Sequence, residues 1–255
     1  MNPQIVSLVA PAKLTISLKV TGVRADGFHL IDAEMVTLDL ADELVVDPSR
    51  TGLEITGEFA DDLAESVDTT YRNDNLVSRA LQLAGRKAHV TVTKNIPSGG
   101  GLGGGSADAA AILRWAGFTD LVAAAKLGAD IAFCMIGGRA RVSGIGEVVN
   151  PLEKIAREIT LVVPPFRVST PAVYRAFDQL TDFGRTPIKH AGVNDLELAA
   201  INVEPRLAIW KQRISQAAGV EPVLAGSGST WWLDGNFASL ASQLADATVI
   251  TTRTN

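Results

Sequence analysis

The stretch KNIPSGGGLGGGSADAAA occupies residues 94–111 and holds six glycines within Gly99–Gly105. Glycine costs conformational entropy, so such a run is favoured where the backbone needs a positive φ or must approach a ligand closely. Before it, His89–Lys94 alternates polar and apolar residues, which predicts a half-buried strand. After it, Ser106 is a predicted N-cap for a helix over Ala107–Leu113. A strand, a glycine loop and a helix N-terminus in this order predict a phosphate-binding loop, because amide N–H groups and the positive helix end attract anions.

The surroundings of this loop distinguish it from two other phosphate-binding loops. A Walker A loop has Lys and then Ser or Thr after its last glycine, whereas here that glycine is followed by Ser106-Ala107. Three of the glycines satisfy G-x-G-x-x-G, but a dinucleotide fold places that pattern after a continuously apolar strand. A flexible linker is a third interpretation, and Ile96, Pro97 and Leu102 count against it as apolar anchor points. We therefore predict a loop that binds a triphosphate.

The composition indicates an ordinary globular protein without an affinity for polyanions. The 255 residues are 47% hydrophobic and 20% charged, and the net charge of −5 lacks the basic excess of a nucleic-acid binder. The single cysteine, Cys134, excludes an internal disulfide and favours a reducing compartment. No stretch approaches 18 uninterrupted apolar residues, and the apolar run before Ala10-Pro-Ala12 is too short for a secretory signal. We expect a cytoplasmic protein, monomeric or homodimeric, with neither nucleic-acid nor membrane partners.

Stretches of strand and helix character follow one another without regular alternation. Near the N-terminus, Ile5–Val9 and Leu14–Val20 predict two separate short strands. This irregular order favours an α+β fold over a doubly wound sheet. The pattern changes at Asn150-Pro151, so we expect two domains, comprising residues 1–150 and 151–255.

Several residues beside apolar segments are open to two interpretations. Lys13 is either a solvated surface residue or a fixed cation for a charged ligand. Asp130 borders the apolar run Ile131–Ile136, where a carboxylate without a partner is unfavourable, so it is either a turn or cap residue or a positioned catalytic acid or base. Phe28 and His29 end a turn-rich loop and are either core packing beside a surface imidazole or a site for a planar base. Spacing alone leaves these alternatives open.

Four stretches, taken together and in order, resemble the GHMP kinase superfamily. They are PAKL at 11–14, IPSGGGLGGGSAD at 96–108, LGAD at 127–130 and GSGST at 226–230. Further matches resemble, within that superfamily, the kinases that act on 4-diphosphocytidyl-2-C-methyl-D-erythritol. These are RADGFH at 24–29, DNL at 74–76, STPAVY at 169–174 and NDLE at 194–197. The resemblance covers essentially the whole chain.

The resemblance implies a two-domain fold, with an N-terminal α+β domain like ribosomal protein S5, a C-terminal ferredoxin-like domain, and a cleft between them. It implies ATP-dependent phosphorylation of a hydroxyl, with Mg²⁺ accompanying ATP and a cytidine diphosphate alcohol of the non-mevalonate isoprenoid pathway as the small-molecule substrate. Two other functions remain as alternatives. One is a kinase of the same fold for another small alcohol, such as mevalonate or homoserine, and the other is nucleotide binding without catalysis.

The resemblance also implies roles for individual residues. Asp130 would accept or orient the hydroxyl proton, and Lys13 would keep Asp130 ionised and stabilise the transferring phosphoryl group. The implied ATP-binding set comprises Asn75, Lys94, Pro97, Gly99, Gly100, Gly101, Leu102, Gly103, Gly104, Gly105 and Ser106. The implied set around the acceptor comprises Thr15, Phe28, His29, Thr170 and Tyr174. Within it, Phe28 and Tyr174 would sandwich the cytosine while His29 binds its edge. No direct Mg²⁺ ligand is assigned, although Ser106 is a candidate.

The chain departs from the family pattern at several positions. Thr15 stands where the family usually has asparagine, Phe28 where it has tyrosine and Ala132 where it has proline. The segment between Leu113 and Leu127 is also shorter than the pattern. These departures concern the fit of the substrate and the packing beneath the glycine loop, whereas Lys13 and Asp130 both match.

Overall fold

The computed structural model describes residues 4–60, 75–181 and 192–255, and these form two β-sheets with helices packed against them. The described strands are β1 (Val6–Val23), β2 (His29–Asp47), β3 (Gly52–Thr56), β4 (His89–Thr93), β5 (Arg139–Gly144), β6 (Val148–Leu152), β7 (Glu158–Val163), β8 (Val223–Leu224), β9 (Trp231–Asp234) and β10 (Thr248–Arg253). The described helices are α1 (Leu76–Leu83), α2 (Gly104–Trp115), α3 (Leu121–Leu127), α4 (Ile131–Ile136), α5 (Thr170–Thr181), α6 (Glu197–Val203), α7 (Arg206–Ala218) and α8 (Leu240–Gln243). The predicted α+β class is confirmed.

The first sheet is built around the long strand β2. Its order is β3-β4-β2-β5-β6, and β1 pairs with β2 along the other side. The prediction of two short strands at the N-terminus is wrong, because β1 runs unbroken across Pro11 with a register shift between Pro11 and Lys13. Pro11 is tolerated there because, among the described strands, β1 pairs only with β2, and the register shift absorbs the missing N–H group. Lys13 therefore lies inside a strand and is buried.

The second sheet is antiparallel, with the order β10-β7-β9-β8. Strand β7 lies inside this sheet, and its residues after Glu158 are buried. The connections run from β7 through α5, α6 and α7 to the β8-β9 hairpin, and then through α8 to β10. This β-α-β-β-α-β order is that of the predicted ferredoxin-like domain.

An apolar cluster joins the two sheets. It combines residues of β1 and β2 with the glycine loop and with β7 and β9. Its buried members are Ala12, Leu14, Val36, Leu38, Ile96, Leu102, Ile159, Leu161, Ala225 and Trp232. The predicted boundary dipeptide Asn150-Pro151 lies within β6, opposite Arg141 and Ala140 of β5. The division of the chain at residues 150 and 151 stays a prediction.

The helix ends follow the sequence-based expectations only in part. The predicted N-cap Ser106 is wrong, since α2 begins at Gly104 and its N-cap is Gly103 with φ 70° and no side-chain cap. At the end of α3, Gly128 is extended, with a φ of −173°. Asp74 of the DNL stretch lies outside the described residues, and the Asn75 side chain caps α1 by accepting from the Val77 N–H. No helix among the described residues has the length and apolar character needed to cross a membrane.

Candidate active site

The glycine loop is held against the loop between β8 and β9. Gly99, Gly101 and Gly103 have φ of 73°, 79° and 70°, the left-handed region that favours glycine. A Cβ on Gly101 would lie 2.6 Å from the Ala225 carbonyl oxygen. The Thr230 N–H also donates to the Gly100 carbonyl at 3.2 Å. These glycines therefore allow close backbone contact between the two loops. They also leave loop backbone exposed where a ligand could bind.

A cavity of about 370 Å³ lies over this loop and the first turn of α2. All members of the predicted ATP set line it except Gly100, which packs against Thr230. Asn75 lines this cavity from the start of α1, where it is the N-cap. Because α2 begins directly after Gly103 without a side-chain cap, the N–H groups of its first turn are available to an anion.

Lys13 and Asp130 form an ion pair at the edge of this cavity. The Lys13 ammonium lies 3.1 Å from the Asp130 carboxylate and donates to the Thr15 hydroxyl at 3.3 Å. The Lys13 side chain is 6% exposed and that of Asp130 29%, so the carboxylate is the more accessible partner. Gly103 makes room for this lysine, because a Cβ there would meet the Lys13 Cγ at 2.7 Å.

Lys94 is paired differently from the expectation. Its ammonium is buried and donates to Asp42 and, at 2.7 Å, to Asp108. Asp42 also accepts the N–H groups of Asn95 and Ile96, at 2.6 and 2.8 Å, where the chain enters the glycine loop. Burial lowers the pKa of Lys94, but the two carboxylates outweigh it and leave that pKa above its ordinary value. The positive charge of Lys94 is thus paired with Asp42 and Asp108 within the fold. A role for Lys94 in binding ATP stays a prediction.

A second cavity, of about 520 Å³, contains the whole predicted acceptor set. Phe28 is 58% exposed there. The His29 ring stacks on Tyr174 with centroids 4.7 Å apart, and its Nε2 lies 2.6 Å from the Asp178 carboxylate. Burial, with a smaller contribution from the negative charge of Asp130, raises the pKa of Tyr174 above its ordinary value, so its hydroxyl is neutral at physiological pH. Because the two ring centroids are 4.7 Å apart, His29 covers one face of Tyr174.

Thr170 begins α5 beside this cavity. The first carbonyl of this helix to accept a bond belongs to Ser169, from the Val173 N–H at 3.0 Å. The Thr170 hydroxyl lies 2.7 Å from that of Ser227, in the GSGST stretch. This contact brings the start of α5 against the β8-β9 loop.

The two cavities meet at Asp130 and Gly101, which line both. The predicted catalytic pair therefore stands between the glycine loop and an aromatic pocket. Residues 75–138 match the model of the GHMP kinases N terminal domain. The 4-diphosphocytidyl-2-C-methyl-D-erythritol kinase of Paracoccus denitrificans is 40% identical over 250 residues, which span 92% of this chain and 88% of that protein. The chain belongs to this family of GHMP kinases.

Other comparisons agree with membership of the GHMP kinases. The protein of the same name from Cereibacter sphaeroides is 35% identical over 245 residues, spanning 87% of this chain and 86% of that one. A crystal structure of 4-(cytidine 5′-diphospho)-2C-methyl-D-erythritol kinase has a TM-score of 0.74 at 29% identity, covering 98% of this chain and 99% of that chain. The homoserine kinase of Cytophaga hutchinsonii has a TM-score of 0.59 at 15% identity over 98% and 94% of the two chains. That last likeness shows the GHMP kinase fold alone.

The structure adds residues to this GHMP kinase site that the sequence did not single out. Asp178 contacts His29, Ser227 contacts Thr170, and Asp42 and Asp108 hold Lys94. Asp108 was visible as the last residue of the central motif. Ser227 lies within the GSGST stretch. Asp42 and Asp178 carry no local signal, because their partners lie 52 and 149 residues away along the chain.

Proposed function

We propose that this chain transfers the γ-phosphoryl group of ATP to a hydroxyl of 4-diphosphocytidyl-2-C-methyl-D-erythritol, in the non-mevalonate route to isoprenoid precursors. The observation that carries the proposal is the meeting of the glycine-loop cavity and the aromatic cavity at Asp130 and Gly101. A donor in one cavity and an acceptor in the other would bring the reacting groups together beside the Lys13–Asp130 pair. The names of the relatives support the choice of acceptor.

The donor half of the reaction belongs to the glycine loop. The N–H groups of the loop and of the first turn of α2 would bind the triphosphate oxygens, and the positive end of the helix would favour their charge. Asn75 lines the same cavity and would be near the adenine. The apolar anchors Ile96 and Leu102 are fully buried, which fixes the loop before ATP arrives.

The chemical step needs one proton acceptor and one source of positive charge. As the acceptor oxygen attacks the γ-phosphorus and the bond to ADP breaks, the hydroxyl proton passes to the carboxylate of Asp130. Lys13, 3.1 Å from the Asp130 carboxylate, would stabilise the negative charge on the transferring group. Phosphoryl transfer depends mainly on such positioning and charge stabilisation, so this small set of groups is sufficient.

Mg²⁺ is the metal that the family implies. Among the described residues, no group of three or more His, Cys, Asp or Glu side chains is arranged to hold a metal. Mg²⁺ needs no such cage, since it is usually held by one or two carboxylates together with phosphate oxygens and water. Asp130 and Ser106 both line the glycine-loop cavity and offer oxygens of that kind. When bound there, Mg²⁺ would neutralise phosphate charge.

The acceptor half belongs to the aromatic cavity. The exposed ring of Phe28 offers a face on which a pyrimidine can stack. His29, fixed by Tyr174 and Asp178, would bind the edge of the base. The second wall of the proposed sandwich would be the part of Tyr174 that His29 does not cover.

A coupled ADP-release assay with three acceptors in parallel tests the proposal. We expect turnover with 4-diphosphocytidyl-2-C-methyl-D-erythritol and little with mevalonate or homoserine, because neither small alcohol has a base to stack. Turnover confined to mevalonate or homoserine would sink the assignment of the acceptor. Binding of ATP without turnover of any acceptor would favour a nucleotide-binding protein.

The variant Asp130→Asn tests the mechanism in the same assay. We expect ATP binding to be retained and kcat to fall by roughly a hundredfold or more, in the range for acid–base groups. The matched control is Asp246→Asn, because Asp246 is half exposed and pairs with Arg213 far from both cavities. Near-wild-type turnover of Asp130→Asn would show that Asp130 is not the proton acceptor.

A further inference from the structure

The charged groups of the aromatic cavity pair with one another, apart from one. The ionisable residues that line it are Lys13, His29, Asp130, Tyr174, Arg175 and Asp178. Lys13 pairs with Asp130 and His29 contacts Asp178. Within the part of the chain that the structure describes, the Arg175 guanidinium has no hydrogen bond or ion pair. Arg175 is therefore the cationic side chain of this cavity that no described residue pairs with.

The position of Arg175 suits it to an elongated ligand. It directly follows Tyr174 on α5, whose first residues Thr170 and Pro171 also line the cavity. Tyr174 and Asp178, which contact His29, lie on this same helix. Arg175 is therefore on the helix that carries residues expected to meet or position the base. A guanidinium binds phosphate oxygens through two parallel hydrogen bonds, which an ammonium does not.

An anionic acceptor needs such a charge in this cavity. The ammonium of Lys13 is already 3.1 Å from Asp130, so the guanidinium of Arg175 is the group in this cavity that remains available to bind a diphosphate. We propose that Arg175 binds the diphosphate of the acceptor and so selects acceptors that carry phosphate over small alcohols that do not. This inference rests on the proposed function, which supplies an acceptor containing a diphosphate between base and alcohol.

Calorimetric titration of the full chain with cytidine 5′-diphosphate and with cytidine tests this role. A non-hydrolysable ATP analogue, present throughout, keeps the glycine loop occupied. We expect wild type to bind the diphosphate more tightly than the nucleoside. Arg175→Met should weaken binding of the diphosphate by roughly tenfold to a hundredfold and leave cytidine within about twofold, the range for lost hydrogen bonds to a charged group.

Two further variants separate charge from geometry and from general damage. Arg175→Lys should recover part of the affinity for the diphosphate, because the charge remains while the paired hydrogen bonds are lost. Arg86→Met is the matched control, since Arg86 is exposed and lines neither cavity, and it should behave as wild type. In kinetics, Arg175→Met should raise KM for the acceptor and leave kcat within a few fold, because Arg175 would bind a group remote from the reacting oxygen.

The outcomes separate this inference from the proposed function. Equal weakening of diphosphate and nucleoside by Arg175→Met, or no weakening of either, overturns the inference. Wild type that binds both equally overturns it as well. Wild type that prefers the diphosphate yet phosphorylates only another alcohol overturns the proposed function, and the titrations of the Arg175 variants then decide the inference by themselves.

Discussion

The buried cluster of Asp42, Lys94 and Asp108 links the two ends of the glycine loop. Asp42 accepts the backbone N–H groups where the loop begins, and Asp108 lies on α2 where the loop has ended. Lys94 bridges the two carboxylates. One Asp108 oxygen is buried and has no hydrogen-bond partner. Two carboxylates and one ammonium leave an excess negative charge in a buried place, which favours a proton on Asp108.

That proton gives stability a dependence on pH. Burial raises the pKa of Asp108 to about 7, the nearby Asp42 adds to the increase, and Lys94 opposes it. In the unfolded chain the same group loses its proton near pH 4. Between roughly pH 4 and 7 the folded state thus binds more protons than the unfolded state, so the free energy of unfolding falls as pH rises through this window.

The variant Asp108→Asn isolates this effect, because the amide does not titrate and still offers Lys94 an acceptor. From pH 4.5 to 7.5, we expect wild type to lose roughly 1 to 4 kcal/mol of stability relative to the variant, with a constant difference above pH 8. Urea unfolding of both proteins across this range measures the difference. Parallel stability curves would mean that Asp108 stays ionised in the fold.

For individual residues, the sequence predicted which residues belong to the site better than it predicted the contacts that they make. The placement of Lys13 and Asp130 beside each other followed from the resemblance, and the structure brings them within 3.1 Å. Lys94 lies just before the matched stretch at 96–108, yet its partner Asp42 is 52 residues away along the chain. No local pattern distinguishes a lysine that faces a ligand from one that faces two buried carboxylates.

Among the elements, the glycine loop shows what periodicity can and cannot give. The strand before it and the helix after it follow from alternation and from the run of small residues. The start of that helix does not, because glycine at the N-cap leaves no side-chain signal and Ser106 is the more usual cap. Nor could the sequence show that Gly101 faces the β8-β9 loop, since that contact joins segments more than a hundred residues apart.

Alanine substitutions at two of these glycines separate loop docking from local flexibility. In Gly101→Ala, the new Cβ would lie 2.6 Å from the Ala225 oxygen and 2.9 Å from the Gly228 oxygen, at a φ of 79°. We expect the free energy of unfolding to fall by roughly 3 kcal/mol, from overpacking and backbone strain together. Affinity for ATP should fall as well, because the loop must shift.

Gly105→Ala, in the first turn of α2, is the matched control from the same run of glycines. Its Cβ would meet only the Leu76 Cδ1 at 3.5 Å, which is ordinary contact, and its φ is not positive. Alanine is also the better helix former, so stability should be unchanged or slightly higher. Urea unfolding compares both variants with wild type, and equal losses at the two positions would show that docking of the loops is not what Gly101 provides.

Across the whole molecule, the segment 193–195 ties the second half of the chain to the first sheet. The Leu18 N–H donates to the Val193 carbonyl at 3.1 Å, and the Asp195 N–H donates to the Leu18 carbonyl at 3.0 Å. Asp195 also accepts from Lys19 and from the Val20 N–H. Strand β1, which carries Lys13, is therefore linked to the helices that follow β7. The NDLE stretch was visible in the sequence, but these links were not, because each spans more than 170 residues.

Asn194 lies at the centre of this segment, and its side-chain amide forms the joint between the segment and β8 with the loop that follows it. Its Nδ2 donates to the Leu224 and Gly226 carbonyls at 2.9 and 2.7 Å, and the residue is 5% exposed. Asn194→Asp would replace both donors with a buried carboxylate facing two carbonyl oxygens, at a cost of roughly 2 to 5 kcal/mol. Guanidinium unfolding at neutral pH measures this, with the exposed Asn202→Asp as the matched control that should change little.

The loss should shrink as pH falls and the carboxylate takes up a proton. A loss independent of pH would mean that altered shape, rather than the lost donors and the new charge, destabilises the joint.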